Sequence, residues 1–223
     1  MHKVLIIGDS STLPREEVIF SKTYYYELKK RNPSFTIENE GITNNTSYKI
    51  DTDLESFMLH GYNPDIVILN YGIVDVYPRP YPNSLYRLLV CTGLLPYVDK
   101  VLKSTNFYYR LGDLLGFKEV KLKNFEKYSN NIIKKLLERN VKKIIIISII
   151  QPSKILLKSR SIKREVPLYN NIFTLLSDKY KEVNYIDIYN DMDEDFTTWD
   201  GYHYTEKASH YLTEKIEELI NND

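Results

Sequence analysis

The sequence predicts an α/β protein, specifically a three-layer α/β/α sandwich built on a five-stranded parallel sheet. Short β-branched runs recur along the 223 residues, and stretches with apolar residues three and four apart separate them. This alternation is typical of parallel strands joined by crossover helices. One long gap, between the third and fourth β-branched runs, predicts a folded insertion within a single domain covering residues 1–223.

The individual elements follow from these two periodicities. The predicted strands are residues 3–7, 35–39, 66–70, 143–149 and 183–188. The predicted helices are residues 16–31, 52–60, 121–139, 167–180 and 205–221. Each helix follows a strand, so the sequence predicts five βα units.

The insertion covers about residues 76–118 and is rich in aromatic and proline residues. It contains four of the chain's 9 prolines and the aromatic residues Tyr77, Tyr81, Tyr86, Tyr97, Phe107, Tyr108 and Tyr109. Aromatic clusters in inserted segments usually form a small core of their own. We therefore expect a folded excursion in which one or two tyrosines line the functional site.

Composition excludes several classes of function. Lys plus Arg and Asp plus Glu are both 30, so no global field attracts nucleic acid or an anionic membrane. Cys91 is the only cysteine, which excludes an intrachain disulfide and a cysteine-based metal cluster. No apolar run approaches the roughly 20 residues that cross a bilayer. We expect a cytoplasmic protein without membrane insertion or a nucleic-acid partner.

A serine follows the first predicted strand directly, in the segment Gly8-Asp9-Ser10. Ligands of open parallel sheets bind beyond the carboxyl ends of the strands, so Ser10 is placed to act on one. A serine hydroxyl is a poor nucleophile and needs a base. The alternative interpretation of Ser10 is a turn or helix-capping residue.

His203 is the histidine best placed to be that base. It follows the fifth predicted strand and precedes the last helix, so it belongs to the same edge of the sheet as Ser10. Asp200, three residues earlier, can accept the Nδ1 proton and leave Nε2 free to take the serine proton. The sequence thus predicts a serine, aspartate and histidine triad of Ser10, Asp200 and His203.

Two sequence blocks resemble a known family. Residues 7–10, Ile-Gly-Asp-Ser, and residues 200–205, Asp-Gly-Tyr-His-Tyr-Thr, resemble the first and last blocks of the SGNH/GDSL hydrolase superfamily. The resemblance implies a flavodoxin-like sheet, the triad named above, and an acyl-transfer activity that uses no metal or organic cofactor. Members of the family are esterases, lipases, thioesterases, carbohydrate esterases and some acetyltransferases.

The middle blocks of the family contribute the oxyanion hole, and here the sequence departs from the pattern. In the family a glycine after the second strand lines the hole; the candidates in this chain are Gly41 and, by the best alignment, Asn44. After the third strand the family has Gly-x-Asn-Asp, whereas residues 72–75 read Gly-Ile-Val-Asp. Gly72 is kept, but Val74 replaces the asparagine that would donate a side-chain hydrogen bond.

Arg79 is the candidate replacement for that donor, or a contact for an anionic group of the substrate. Residues 72–80 resemble a variant third block of SGNH proteins linked to bacterial surface-polysaccharide biosynthesis. Structural alternatives remain open: Arg79 could only tie down a loop, Gly41 and Gly72 could only relieve turn strain, and Asp75 could cap a helix or pair with Arg79.

The resemblance implies an esterase that removes a small acyl group, which we expect to be acetyl, from a small-molecule or glycan substrate. Two alternatives remain. One is an acetyltransferase that uses the same triad, and the other is a carbohydrate-binding relative without activity, which the absence of the oxyanion asparagine would explain.

Overall fold

The computed structural model describes residues 2–58, 60–104, 107–152, 159–191 and 194–221. Its strands are β1 (Lys3–Gly8), β2 (Thr36–Gly41), β3 (Ile66–Asn70), β4 (Pro78–Arg79), β5 (Phe117–Lys118), β6 (Lys143–Ile147) and β7 (Val183–Ile186). Its α-helices are α1 (Tyr24–Arg31), α2 (Ser47–Asp53), α3 (Ile73–Val76), α4 (Asn83–Cys91), α5 (Leu95–Ser104), α6 (Phe107–Leu115), α7 (Leu122–Glu138), α8 (Arg160–Lys179), α9 (Ile188–Asp191) and α10 (Glu206–Asn221).

The main sheet has five strands in the order β2-β1-β3-β6-β7, and all of its neighbouring pairs are parallel. Its central strands contain uninterrupted buried apolar runs, residues 4–7, 66–69 and 144–147, because helices cover both faces. Successive residues of β1 alternate between the two layers: Leu5 and Ile7 pack into one core cluster, and Val4 and Ile6 into the other. The predicted fold class is confirmed.

Helices form the two outer layers. Helices α1 and α10 contact each other and place Leu28 and Leu212 in the cluster on the Val4 face. On the other face, α2, α7 and α8 contribute Ile50, Ile133 and Phe173. The predicted sandwich therefore has its core in two apolar layers separated by the sheet.

The first predicted helix, residues 16–31, begins too early. Helix α1 begins at Tyr24, after Thr23, whose hydroxyl accepts a hydrogen bond from the Tyr26 N–H. The residues before Thr23 form turns, including one in which Arg15 and Val18 exchange two backbone hydrogen bonds. A side-chain cap and a closed turn thus override the apolar spacing that predicted helix there.

Two further helix starts were predicted too late. The helix predicted for residues 52–60 begins at Ser47, behind the cap Thr46, and continues as a π-helical segment over Leu54–Met58; residue 59 lies outside the described residues. The helix predicted from residue 167 begins at Arg160, with Pro167 inside it. Proline is most favoured in the first turn of a helix, but the long apolar face of α8 stabilises a helix that holds Pro167 in its interior.

The insertion lies between β3 and β6. It consists of α4, α5 and α6 together with an antiparallel pair of short strands, β4 and β5; residues 105 and 106 lie outside the described residues. Tyrosine rings pack against one another within it, with the rings of Tyr81 and Tyr108 6.3 Å apart and those of Tyr108 and Tyr109 5.4 Å apart. The expected small aromatic cluster is present.

None of the helices in the described part of the chain combines the length and the apolar character needed to cross a membrane.

Candidate active site

Ser10 lies immediately after β1, which has β2 and β3 as neighbours in the sheet. It begins a 3₁₀ turn, Ser10–Thr12, which Asp9 caps by accepting a hydrogen bond from the Ser11 N–H at 2.8 Å. The Asp9 N–H in turn donates to the carbonyl of Asn70 at the end of β3. These bonds hold the serine at the carboxyl edge of the sheet, as predicted.

A continuous chain of hydrogen bonds joins Ser10, His203 and Asp200. The Oγ of Ser10 is 2.8 Å from Nε2 of His203, and Nδ1 of His203 is 2.5 Å from Oδ2 of Asp200. Since an ionised carboxylate only accepts, Nδ1 carries the proton and Nε2 is left as an acceptor for the serine hydroxyl. The structure brings together all three residues predicted from their distant positions in the sequence.

The loop that carries Asp200 and His203 is held by its own hydrogen bonds. Oδ1 of Asp200 accepts from the backbone N–H groups of Tyr202 and His203, both at 3.1 Å, and from the Thr198 hydroxyl at 3.0 Å. Burial alone would raise the pKa of Asp200, but the contact with the His203 ring and the hydrogen bonds from the backbone of Tyr202 and His203 lower this pKa to about 2. Asp200 is therefore ionised at neutral pH and orients the imidazole.

The two predicted oxyanion positions after β2 differ in structure. The Gly41 N–H donates to the side chain of Asn39 at 3.0 Å, and a Cβ on Gly41 would lie 1.9 Å from the Thr12 hydroxyl oxygen. The absence of a side chain at Gly41 therefore allows Thr12 to pack closely, and the Gly41 N–H already has an acceptor in Asn39. Asn44, with a left-handed φ of 57°, lines the same cavity as Ser10.

Gly72 and Asp75 have structural roles at the start of α3. Gly72 has a φ of 120°, and a Cβ there would lie 2.7 Å from Cδ1 of Ile149. Asp75 is fully buried and accepts hydrogen bonds from the N–H and the hydroxyl of Ser47. The residues of this block that line the cavity beside Ser10 are Ile73 and Val74, and neither has a side-chain donor.

Arg79 is committed to other protein groups. Its guanidinium forms an ion pair with Glu119, and the guanidinium carbon lies 4.4 Å from the centre of the Tyr86 ring. The suggested salt bridge between Asp75 and Arg79 is wrong. Arg79 pairs with Glu119 instead, and Asp75 accepts hydrogen bonds from Ser47. Arg79 lines the cavity wall, but its contacts favour the loop-tying alternative over an oxyanion role.

Arg15 was missed by the sequence analysis. Its Nη2 lies 2.6 Å from Nε2 of His203, the same atom that Ser10 approaches. Its Nε is buried and has no hydrogen-bond acceptor among the described residues. The available signal was an arginine five residues after Ser10, in the turns that precede α1.

A cavity of 570 Å³ opens beside Ser10. Its walls come both from the sheet edge and from the insertion, and they include the tyrosines Tyr48, Tyr77, Tyr81, Tyr86, Tyr108, Tyr109 and Tyr202. The Tyr202 ring packs on the imidazole of His203, with centres 4.2 Å apart, and Tyr77 packs on Tyr202. More of the insertion's tyrosines thus line the site than the one or two expected.

Known proteins resemble this chain in structure. No model of a protein family and no curated protein sequence matches it. Among solved structures, the acetyl xylan esterase AlAXEase superposes with a TM-score of 0.68 at 19% identity, covering 98% of this chain and 99% of that one. A lipase/acylhydrolase from Enterococcus faecalis gives a TM-score of 0.66 at 15% identity, covering 99% and 95% of the two chains.

A GDSL-like lipase from Bacteroides thetaiotaomicron gives a TM-score of 0.65 at 14% identity, covering 98% of this chain and 87% of that one. At such identities the likeness concerns the fold, which can carry different activities. The chain therefore has the fold of known GDSL-type esterases and acylhydrolases over nearly its whole length.

Proposed function

We propose that this protein is a serine esterase of the SGNH/GDSL type, with Ser10 as nucleophile, His203 as general base and Asp200 as the residue that orients His203. The observation that carries the proposal is the hydrogen-bond chain from Ser10 Oγ through both ring nitrogens of His203 to Asp200. A nucleophile, a base and an orienting carboxylate in this order are what acyl transfer by serine requires.

In the proposed reaction the Ser10 proton passes to Nε2 of His203 while Oγ attacks the ester carbonyl. The tetrahedral intermediate collapses, the leaving alcohol takes the proton from His203, and an acyl-serine remains. Water then attacks the acyl-serine as His203 removes its proton, the bond between the acyl carbon and Oγ breaks, and the carboxylic acid leaves while Ser10 takes its hydrogen back from His203. Asp200 stabilises the positive charge that His203 carries in each step.

Backbone N–H groups near Ser10 and Asn44 would hold the developing oxyanion. Val74 offers no side-chain donor where the family has an asparagine. Loss of one oxyanion donor typically costs on the order of 10²–10³ in turnover. We therefore expect slow hydrolysis of simple esters, unless a group of the substrate or of the protein supplies the missing interaction.

The proposed substrate is an acylated carbohydrate, and the proposed acyl group is acetyl. Tyrosines line the cavity beside Ser10, and their rings suit the apolar faces of sugars while their hydroxyl groups suit sugar hydroxyls. That one structural neighbour is an acetyl xylan esterase agrees with this choice.

Covalent labelling tests the proposed nucleophile. A fluorophosphonate should add once to the wild type, as read by intact mass, and should fail to add to Ser10→Ala and His203→Ala. The control His210→Ala removes an exposed histidine on α10 and should label like the wild type. Absence of an adduct on the folded wild type would refute the esterase proposal.

A carbohydrate-binding protein without esterase activity is the second candidate, and Val74 is the observation that favours it. Glycan binding that persists in Ser10→Ala, with no labelling of the wild type, would select this candidate. If labelling succeeds, acetate release with and without an added glycan acceptor separates hydrolysis from acetyl transfer.

A further inference from the structure

Arg15 is held at the edge of the candidate active site by its backbone. Its N–H donates to the carbonyl of Val18 at 2.9 Å, and the Val18 N–H donates back to the carbonyl of Arg15 at 3.1 Å. The Val18 side chain is buried beneath this turn. The position of the arginine therefore does not depend on what its guanidinium contacts, and the guanidinium can change partners without unfolding the turn.

In the described arrangement Arg15 competes with Ser10 for one atom. Nε2 of His203 lies 2.6 Å from Nη2 of Arg15 and 2.8 Å from the Ser10 hydroxyl. Because Asp200 holds the proton on Nδ1, Nε2 has a single lone pair for these two donors. Transfer of the serine proton to Nε2 would also place a charged imidazole against the guanidinium. Arg15 in this position therefore restrains the base.

The edge of the guanidinium involved is the one that recognises oxyanions. Nε and Nη2 lie on the same side of the group, and their N–H bonds form a fork that matches two oxygens of a carboxylate or phosphate. Nη2 contacts His203, and Nε is buried without an acceptor among the described residues. An anion that accepts from both nitrogens would satisfy Nε and withdraw Nη2 from His203.

The cavity beside Ser10 is suited to such an anion. Its two carboxylates are both engaged by protein groups, Glu119 by Arg79 and Asp99 by the Tyr81 hydroxyl. Lys49 lines the same cavity. An anionic substrate group in this cavity would thus meet the Lys49 ammonium group, while the two carboxylates are already ion-paired or hydrogen-bonded. Arg15 does not line the cavity itself but contacts Nε2 of His203, the atom that Ser10 approaches.

We infer that Arg15 recognises an anionic oxygen group, a carboxylate or a phosphate, on the ester substrate, and that its binding frees Nε2 of His203 to accept the proton of Ser10. The inference rests on the proposed function and narrows the substrate to esters of acidic sugars. Arg15 then acts twice, as a specificity residue and as a restraint on the base in the absence of substrate.

Binding to the Ser10→Ala variant tests recognition apart from turnover. Isothermal titration would compare methyl glucuronoside with its uncharged glucuronamide, and methyl glucoside 6-phosphate with methyl glucoside. We expect at least one anion to bind about tenfold more tightly than its neutral partner. The preference should vanish in Ser10→Ala/Arg15→Gln. It should persist with Arg139→Gln, a control at the end of α7, which leads into the opposite edge of the sheet. Equal binding of every pair overturns the inference.

Labelling tests the restraint on the base. Arg15→Gln should react with a neutral fluorophosphonate about threefold to tenfold faster than the wild type, because one of two competing hydrogen bonds to Nε2 is gone. Arg15→Lys, which keeps the charge without the fork, should lose the anion preference. Slower labelling of an Arg15→Gln protein with native circular dichroism would overturn the inference, since Arg15 would then assist the reaction.

The two proposals fail in distinguishable ways. If the wild type reacts with the fluorophosphonate but Ser10→Ala binds charged and neutral sugars equally, the esterase proposal stands and the proposed role of Arg15 is refuted. If the wild type never reacts, while Ser10→Ala prefers the anions and this preference depends on Arg15, the esterase proposal is refuted and anion recognition by Arg15 stands.

Discussion

Side chains in the candidate active site hold one another in defined protonation states. Asp200 has a pKa of about 2, because hydrogen bonds from His203 and its neighbours outweigh the effect of burial. The ionised carboxylate keeps the proton on Nδ1 of His203, and the acceptor Nε2 faces Ser10. The chemistry available to Ser10 is therefore decided by a residue that does not touch it.

Replacing Asp200 by Asn should abolish most activity with little change in folding. An amide can still accept from the backbone N–H groups of the loop, but its NH₂ group favours the tautomer with the proton on Nε2, which cannot act as base. We expect kcat for p-nitrophenyl acetate to fall by on the order of 10³–10⁴. The assay should be paired with thermal unfolding, and activity within a few fold of the wild type would contradict the assigned role.

The candidate active site depends on turns that begin where strands end. The turn after β1 presents Ser10, and the turn after β3 leads into the short helix α3 through Gly72. Gly72 combines a φ of 120° with a carbonyl that accepts the hydrogen bond of Val76. This turn places Ile73 and Val74 on the cavity wall, so its backbone shape matters more than any side chain at position 72.

Gly72→Ala should therefore destabilise the protein by about 2–3 kcal/mol. The new Cβ would lie 2.7 Å from Cδ1 of Ile149, and the φ of 120° is a backbone conformation that residues other than glycine rarely adopt. Gly93→Ala is the matched control, since its φ is also positive, 69°, but nothing lies within 4 Å. It should cost about 1 kcal/mol. Equal losses in urea unfolding would show that the contact with Ile149 contributes nothing.

Two carboxyl groups are buried under the edge of the sheet that carries the candidate active site. Asp9 and Asp75 are 1% and 0% exposed. Burial raises the pKa of Asp9 to about 6 and, despite hydrogen bonds from Ser47, the pKa of Asp75 to about 7. Both groups take up protons in the folded state at pH values where they are ionised in the unfolded chain.

Stability should consequently fall as pH rises from about 4 to 7. For a carboxyl group whose pKa is raised on folding, the folded state binds more protons in this window, so the contribution to stability is complete below the ordinary pKa of 3.8 and is lost as pH rises through about 7. Asp75→Asn removes the titration and should flatten the slope. Urea unfolding at pH 4 to 8 measures the slope of the unfolding free energy against pH. One titrating group can contribute at most about 1.4 kcal/mol per pH unit to this slope.

Asp65→Asn provides a control of opposite sign. Hydrogen bonds from Lys142 and from the backbone of Lys3 lower the pKa of Asp65, so its contribution is present above its ordinary pKa and is lost as pH falls. Its removal should weaken the protein slightly at neutral pH and leave the slope between pH 4 and 7 in place. A flattened slope in Asp65→Asn would mean that Asp75 is not its source.

The layers of the fold and the members of the proposed triad could be predicted from the amino-acid sequence. Strand and helix periods are local properties of the chain, and parallel strands bring their carboxyl ends to one edge whatever the details of packing. Ser10 and His203 could therefore be joined across 193 positions, although nothing in either segment alone requires it. Asp200 followed because it lies within the same turn as His203.

Only the tertiary structure decided the contacts made by long side chains and the use of particular N–H groups. Arg79 and Arg15 each reach several ångströms from the backbone, and Glu119 and His203 are the partners that packing offers them. The Gly41 N–H, predicted as an oxyanion donor, instead donates a hydrogen bond to the side chain of Asn39. Such choices depend on which groups packing places within about 3 Å of one another, and no local pattern in a sequence encodes that proximity.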